Sequence, residues 1–175
     1  MNGLIVVIAQ YLLYALVVVA AGVWLTRDRP GKVALAAEAV VGLALVGLGI
    51  LLVGHLHTDP RPFVHDPHST PLFPHPADNG FPSDHSAAAG LLTVLVLRYQ
   101  RWWGVVVGAG AAAIAWARVA AHVHHAQDVV AGLGIGLVAG ALAAWIVHLV
   151  LRRLEGHGVR LGGAHARTTA DREGR

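Results

Sequence analysis

The sequence contains no cysteine among its 175 residues, so it can form neither a disulfide framework nor a thiolate metal site. Charged residues are also scarce. Asp, Glu, Lys and Arg make up 13% of the chain, whereas hydrophobic residues make up 55%. This balance is typical of an integral membrane protein. The formal net charge of +3 does not indicate a nucleic-acid partner, because the basic residues form no patch.

Long apolar runs predict the fold class, an all-α integral membrane helical bundle with about five transmembrane helices. A helix of about 20 apolar residues crosses the hydrocarbon core of a bilayer. The first run has no basic segment before it and exceeds the apolar core of a signal peptide, which predicts a retained helix. The predicted spans cover residues 4–25, 33–53, 83–99, 104–121 and 129–151, within a transmembrane domain at 1–151.

Two polar segments complete the predicted organisation. Residues 54–82 are rich in Pro, His and Asp and have no apolar periodicity, which predicts a loop. Residues 152–175 are rich in Gly and Arg, which predicts a disordered tail. Gly132, Gly136 and Gly140 lie on one stripe of the last span, so we expect a close helix-packing face there.

The positions of lysine and arginine orient the predicted bundle. Of the thirteen such residues, all except Arg61 and Arg118 follow the first, third or fifth span. The positive-inside rule therefore predicts that these ends and the C-terminal tail are cytoplasmic. Arg61, Arg118, the loop at 54–82 and the N-terminus are expected on the extracytoplasmic face.

One carboxylate, Glu38, lies within the second span, little more than one helical turn from its start. Two interpretations stay open. The side chain can extend to the cytoplasmic edge of the membrane, or it can bind a buried polar partner.

The stretch at 117–128, A-R-V-A-A-H-V-H-H-A-Q-D, contains side chains suited to phosphoryl transfer. The guanidinium of Arg118 can bind a phosphate through two hydrogen bonds, and the imidazole of His124 can attack phosphorus. Asp128 follows His124 by four residues. One helical turn would therefore bring its carboxylate to the imidazole that it could orient.

Two further stretches add polar groups to the same predicted face. Arg61-Pro62 lies in the loop and supplies a second guanidinium. The run Pro82-Ser83-Asp84-His85 stands where the third span begins. Ser83 would start that helix, so its hydroxyl and the free amides of the first turn predict an anion site.

Together the three stretches resemble the signature of the type 2 phosphatidic acid phosphatase superfamily. The sequence F-P-S-D-H-S at 81–86 is most similar to the undecaprenyl-diphosphatase branch, and the resemblance covers residues 58–128. It implies a multi-pass enzyme of the bacterial cell membrane that hydrolyses undecaprenyl diphosphate at the extracytoplasmic face. The alternative substrate is phosphatidate or another glycerolipid phosphate. The partners that the resemblance implies are the lipid phosphate substrate and membrane lipids.

The resemblance also implies a role for each motif residue. His124 would be the nucleophile that forms a phosphohistidine, with Asp128 orienting it and His85 acting as general acid. The residue chemistry supports this division, because a carboxylate beside an imidazole holds the ring in the right tautomer and orientation. We expect no cofactor and no metal in this site. The implied phosphate-binding residues are Arg61, Ser83 and Arg118.

Three features depart from the family pattern. A lysine usually stands seven residues before the first arginine, but this chain has Gly54 there, so we expect one phosphate contact to be missing or supplied by His55 or His57. Asp84 stands where glycine is common, although the undecaprenyl-diphosphatase branch is expected to have this acid. The family commonly has six spans, whereas the sequence predicts five.

A different class of protein is indicated by clustered imidazoles. Together with Asp66 and Asp78, they could bind zinc, which would make the chain a metal-binding or metal-transport protein. The spans offer almost no polar residues for a transport path, which argues against this alternative. The histidines concerned are His55, His57, His65, His68, His75, His122, His124 and His125.

Overall fold

The computed structural model describes residues 1–66 and 68–156. Within these residues the chain is helical, which confirms the all-α fold class. Five long helices are joined by short connections and by one extended loop that contains a single helical turn. The helices are α1 (Asn2–Leu25), α2 (Arg29–Leu56), α3 (Pro62–His65), α4 (Asp84–Tyr99), α5 (Arg101–Ala120) and α6 (Ala126–Gly156).

Helix α4 is the central element of the bundle. It contacts α1, α2, α5 and α6. Its inner face supplies Ala89 and Val96 to a core shared with α1 and α5, and Leu91 and Leu95 to a second core shared with α2 and α6. Because α4 lies in both cores, its N-terminal turn is held firmly at one end of the bundle.

The glycine stripe of α6 packs against α4, as the sequence predicts. A Cβ atom at Gly132 would collide with the carbonyl oxygen of Ser83, and one at Gly136 with the carbonyl oxygen of Ala87. At Gly140 it would lie 2.8 Å from the Cβ atom of Val94. The close approach of the two backbones therefore requires glycine, and it fixes α6 against the start of α4.

Four helices of the described part are long and apolar enough to cross a membrane, namely α1, α2, α5 and α6. Helix α4, which corresponds to the predicted span at 83–99, has 16 residues. At 1.5 Å per residue it is about 24 Å long, shorter than a hydrocarbon core of about 30 Å. Its crossing of the membrane stays a prediction.

Several boundaries differ from the predicted spans. Helix α2 continues to Leu56, and the loop at 54–82 contains the helical turn α3. Helix α6 begins before residue 129 and ends at Gly156, so the first residues of the predicted tail are helical. Apolar runs mark the hydrocarbon core, whereas backbone hydrogen bonding continues into the polar interface. The rest of the predicted tail, residues 157–175, lies outside the described residues.

The structure favours the second interpretation of Glu38. This side chain is 2% exposed, and its Oε1 atom lies 3.2 Å from Nη2 of Arg98 on α4. The carboxylate therefore binds a partner inside the bundle instead of extending to the membrane edge.

Candidate active site

The predicted site residues meet at the end of the bundle where α4 and α6 begin and α5 ends. A pocket of 220 Å³ opens there. The loop between α2 and α4 covers one side of it, and the short connection between α5 and α6 covers another. The lining residues are Arg61, His75, Asp78, Asn79, Pro82, Asp84, His85, Arg118 and His124.

The ring of His124 is fixed by contacts at both nitrogens. Its Nδ1 atom lies 3.2 Å from Oδ2 of Asp128, and its Nε2 atom lies 3.3 Å from Nη1 of Arg61 and 3.2 Å from Nη2 of Arg118. A guanidinium can only donate hydrogen bonds, so Nε2 accepts and Nδ1–H donates to the carboxylate. The neutral ring thus has its lone pair directed between the two arginines.

The contact between His124 and Asp128 forms in a different way from the one that their spacing predicts. His124 lies in the connection before α6, and Asp128 lies in the first turn of that helix. The carboxylate acts as a cap, because its Oδ2 atom also accepts a hydrogen bond from the amide of His125 at 2.8 Å. The two residues are therefore joined across a helix start, not along one helical face.

Arg61 is buried and held from two sides. Its Nε atom donates to Asp78 at 2.7 Å, and its Nη1 atom donates to the carbonyl of Val123 at 2.8 Å. These bonds hold the guanidinium beside His124 before any ligand arrives. Because Arg61 donates a hydrogen bond and lies close, the pKa of Asp78 is lowered, although partial burial opposes this shift.

Arg118 is also buried, at the C-terminal end of α5. Its Nη2 atom contacts both His124 and His75, and its Nη1 atom lies 3.5 Å from the carbonyl of Ala9 on α1. Its Nε atom has no hydrogen-bond partner in the described part of the chain. A buried donor without a partner is costly, so this arginine is prepared to bind an anion.

Burial lowers the pKa of His124 below 6.5, the ordinary value for histidine. The hydrogen bond to Asp128 opposes this shift, whereas the positive charges of Arg118 and Arg61 add to it. The ring is therefore neutral at neutral pH, which is the state that a nucleophile requires.

The remaining predicted residues belong to the start of α4. Ser83 is its N-cap, fully buried, and its hydroxyl oxygen accepts from the amide of Ser86 at 3.5 Å. It does not line the pocket. Its predicted contact with phosphate stays a prediction, as do the roles of the other site residues. His85 lines the pocket from the first turn, and Asp84 stands exposed at the rim.

Two residues of the loop contact the site arginines without having been predicted there. His75 accepts a hydrogen bond from Arg118 at 2.9 Å, and Asp78 binds Arg61. The sequence offers both only as possible metal ligands, because they stand 43 and 17 residues from their partners. The sequence signal for these two residues was only the composition of the loop, which is rich in histidine and aspartate and lies between two motifs.

The position of the absent lysine is covered by the loop. A Cβ atom at Gly54 would lie 3.1 Å from the carbonyl oxygen of Phe81. The side-chain amide of Asn79 donates to the carbonyls of Gly54 and His57. Neither His55 nor His57 lines the pocket, so the structure does not bring either of them to the other site residues.

The predicted histidine cluster is dispersed in the structure. His122 contacts the carbonyl of Thr70 on the outside, and His75 and His124 face the arginines. In the described part of the chain, the group best placed to bind a metal ion is Asp59, His125 and Asp128, whose ligand atoms lie within 4.8 Å of one another. Asp128 is shared with His124, so a cation there would compete for the carboxylate.

Comparisons with known proteins agree with the geometry. A sequence profile of the PAP2 superfamily matches residues 3–152. Putative undecaprenyl-diphosphatase YbjG of Escherichia coli (strain K12) is 32% identical over 164 residues, which cover 89% of this chain and 80% of that protein. Undecaprenyl-diphosphatase BcrC of Bacillus subtilis (strain 168) is 28% identical over 150 residues, covering 81% and 72%. Bacitracin transport permease protein BcrC of Bacillus licheniformis is 28% identical over 148 residues, covering 83% and 71%.

Two solved structures share the fold. Aquifex aeolicus LpxE superimposes with a TM-score of 0.58 at 23% identity, covering 81% of this chain and 84% of that one. A transmembrane PAP2 type phosphatidylglycerolphosphate phosphatase from Bacillus subtilis gives 0.57 at 22% identity, covering 85% and 77%. At these identities the likeness shows the fold alone.

A helical bundle with two buried arginines around an oriented histidine is suited to phosphoryl transfer. The chain belongs to the PAP2 superfamily, as the profile match over most of its length shows. It is a multi-pass membrane enzyme that hydrolyses phosphoric esters or anhydrides. The resemblance derived from the three sequence motifs is thereby confirmed at the level of the family.

Proposed function

We propose that this enzyme hydrolyses undecaprenyl diphosphate to undecaprenyl phosphate and inorganic phosphate through a phosphohistidine at His124. The orientation of the His124 ring is the observation that carries the proposal. Its Nε2 atom faces the pocket between Arg61 and Arg118, and its Nδ1 atom is held by the buried carboxylate of Asp128. A neutral nucleophile thus stands between two cations that would also bind the phosphate.

The reaction would proceed in two displacements. First, Nε2 of His124 attacks the terminal phosphorus, the N–P bond forms, and the bond from phosphorus to the bridging oxygen breaks. Arg61 and Arg118 stabilise the charge on the transferring group. Water then attacks the phosphohistidine and the N–P bond breaks. His85 gives a proton to the leaving oxygen in the first displacement and takes one from water in the second.

The choice of a diphosphate substrate rests on two supports. The names of two relatives, from Escherichia coli and Bacillus subtilis, include undecaprenyl-diphosphatase. The sequence of the second motif, with Asp84 in it, is most similar to that branch.

Phosphatidate or another glycerolipid phosphate is the second candidate substrate. The observation that favours it is His85, which lines the pocket together with His124 and Arg118. An alkoxide leaving group is strongly basic and depends on such a proton donor. A phosphate monoester has a second pKa of about 6, so it leaves with little help.

Phosphate release from the purified protein separates the two candidates. We expect undecaprenyl diphosphate to be hydrolysed with a higher kcat/KM than phosphatidate in the same detergent. A higher kcat/KM for phosphatidate would replace the first candidate with the second. His124→Ala serves as the control, because it should release phosphate from neither lipid.

We also propose that the site faces outward and that the C-terminus is cytoplasmic, because of the arginine and lysine distribution. The absence of cysteine makes this simple to test. A single cysteine replacing Ala77 should react in whole cells with a thiol reagent that cannot cross membranes. One replacing Ala164 should react only after the cells are opened. Labelling in the reverse order would contradict the orientation.

Hydrolysis is proposed to need no metal ion, because two arginines, a helix start and a histidine acid supply the charge and the proton. Activity should therefore survive exhaustive treatment with EDTA. Loss of activity that zinc alone restores would favour the metal-binding alternative. His125→Ala would then identify the site, since His125 belongs to the group best placed to bind a cation.

A further inference from the structure

The loop residue His75 holds a position in the pocket that the two displacements do not use. Its Nε2 atom lies 2.9 Å from Nη2 of Arg118, the shortest hydrogen bond that Arg118 makes. Its ring centre lies 6.2 Å from that of His124. An imidazole thus stands directly beside the place where the transferring phosphate would bind.

The position of His75 is fixed by the loop around it. Phe73 is buried in a cluster with Ala9, Ala117 and Val123, and the guanidinium of Arg118 stacks over its ring at 5.8 Å. The amide of the neighbouring Leu72 donates to a carbonyl at the end of α5, at 3.1 Å. His75 follows Phe73 by two residues, so these contacts hold it over the site. Its hydrogen bond with Arg118 is therefore fixed by the structure of the loop.

His75 also stands between two pockets. The pocket of 220 Å³ around His124 and a second one of 330 Å³ share His75, His85 and Arg118 in their walls. The second pocket is lined further by Tyr11 and Tyr14 of α1, both of which are exposed on the outer surface of the bundle. A lipid that leaves the first pocket in this direction therefore passes His75 immediately.

The order of groups in a diphosphate lipid matches this arrangement. With the terminal phosphate at Nε2 of His124, the next group along the substrate is the phosphate that stays on the lipid. That phosphate would lie at the boundary between the two pockets. Phosphatidate has a glycerol carbon in the same place. The group beside His75 therefore differs in charge between the two candidate substrates.

We propose that His75 is a substrate-binding residue that takes up a proton and donates a hydrogen bond to the retained phosphate of a diphosphate lipid. In the structure its Nε2 atom accepts from Arg118 at the boundary between the two pockets. When the substrate arrives, Arg118 turns its donor to phosphate and the freed Nε2 atom takes a proton from solvent. This inference rests on the proposed diphosphatase function and names the residue that would select the diphosphate.

The charges around His75 explain why the proton arrives only with the substrate. Arg61 in the loop, Arg118 on α5, and the rings of His85 and His124 all oppose a positive charge on His75, while Asp78 favours one. Asp84 lines the same pocket from α4. Burial and then the two arginines lower the pKa of His75. A bound diphosphate would reverse the sign of this field and favour the charged ring.

Hydrolysis by His75→Ala tests the selection. A hydrogen bond to a charged group corresponds to about a 10- to 100-fold effect, so kcat/KM for a prenyl diphosphate should fall by that factor. For phosphatidate it should change less than about threefold. His68→Ala, in the exposed part of the same loop, is the matched control and should change neither. An equal fall for both substrates, or no fall for either, would overturn the proposal.

A binding measurement makes the test independent of turnover. Calorimetry of the wild type with inorganic pyrophosphate and with inorganic phosphate, in two buffers of different ionisation enthalpy, reports affinity and proton uptake together. We expect pyrophosphate to bind more tightly and to take up more protons than phosphate, and His75→Ala to lose both differences. If they persist in the variant, the role of His75 is refuted. If they are lost but the wild type hydrolyses no diphosphate lipid, the proposed function fails, and only the binding of a second phosphate by His75 stands.

Discussion

Charged groups of two different kinds lie beside the two ends of α4. At its N-terminal end, Arg61 and Arg118 direct their donors to a pocket and to the lone pair of His124. At its C-terminal end, Glu38 is bound to Arg98 at 3.2 Å. The first group has two guanidiniums but only one of them, that of Arg61, is in an ion pair among the described residues, whereas the second group pairs one carboxylate with one guanidinium. Charge that is held but not neutralised indicates a binding site, and charge that is paired indicates structure.

The difference is useful because both groups look alike in the sequence. Each consists of isolated charged residues close to apolar spans, and each would be expensive if left alone in the membrane. Only the geometry of the partners separates them. Substitutions at the two ends of α4 should therefore have opposite consequences, one for activity and the other for stability.

The largest effect is expected at the nucleophile. His124→Ala should lower kcat on any lipid phosphate by about 10⁴-fold or more, because removal of a nucleophile eliminates the reaction path. Its neighbour His125 is the matched control, since its side chain is directed to Asp59 and does not line the pocket. His125→Ala should keep most of the activity. The reverse result, an inactive His125→Ala with an active His124→Ala, would show that the register of the motif is wrong.

The next effect concerns His85 and depends on the leaving group. His85→Ala should slow phosphatidate hydrolysis by about 10²–10⁴-fold, the usual contribution of a general acid. Hydrolysis of a prenyl diphosphate should fall much less, because its leaving group has a second pKa of about 6. His122→Ala, outside the pocket, is the control for the loss of an imidazole. Equal losses on both substrates would give His85 a role in phosphate binding.

The motif around His124 shows what the sequence could predict. Arg118, His124 and Asp128 are neighbours in the chain, so their spacing predicted that they meet. His75 and Arg98 contact residues 43 and 60 positions away, and no local pattern carries that information. The helix ends were misplaced for another reason, because hydrophobicity falls before the hydrogen bonding of a helix stops. Short-range chemistry was thus predictable, whereas the loop over the pocket was not.

A smaller effect is expected in the pH profile. Burial and the two arginines hold the pKa of His124 below 6.5, so the neutral nucleophile persists down to that pH. We expect kcat/KM to fall only at lower pH, by tenfold for each unit below the pKa. Asp128 raises this pKa, so Asp128→Asn should move the acidic limb to still lower pH while it reduces kcat. If kcat/KM of Asp128→Asn falls at the same low pH as that of the wild type, the titrating group belongs to the substrate and not to His124.

The smallest effect on activity is expected at the other end of α4. Arg98→Ala leaves Glu38 buried and unpaired, which should lower the free energy of unfolding by about 3 kcal/mol. Glu38→Ala should cost less, about 1 kcal/mol, because the remaining Arg98 is 44% exposed and can reach water. Thermal unfolding in detergent measures both. Specific activity of the folded fraction should stay within about twofold of the wild type, and a larger loss would connect this pair to the site.

The identity of the phosphorylated atom is the most direct test of the account. The enzyme would be mixed with a prenyl diphosphate that carries a radiolabelled terminal phosphate, denatured rapidly in base, and digested. We expect the label on His124 in the wild type and in His125→Ala, stable in base and lost in acid, and no label in His124→Ala. Label on another residue, or rapid turnover during which no labelled protein ever forms, would contradict the mechanism.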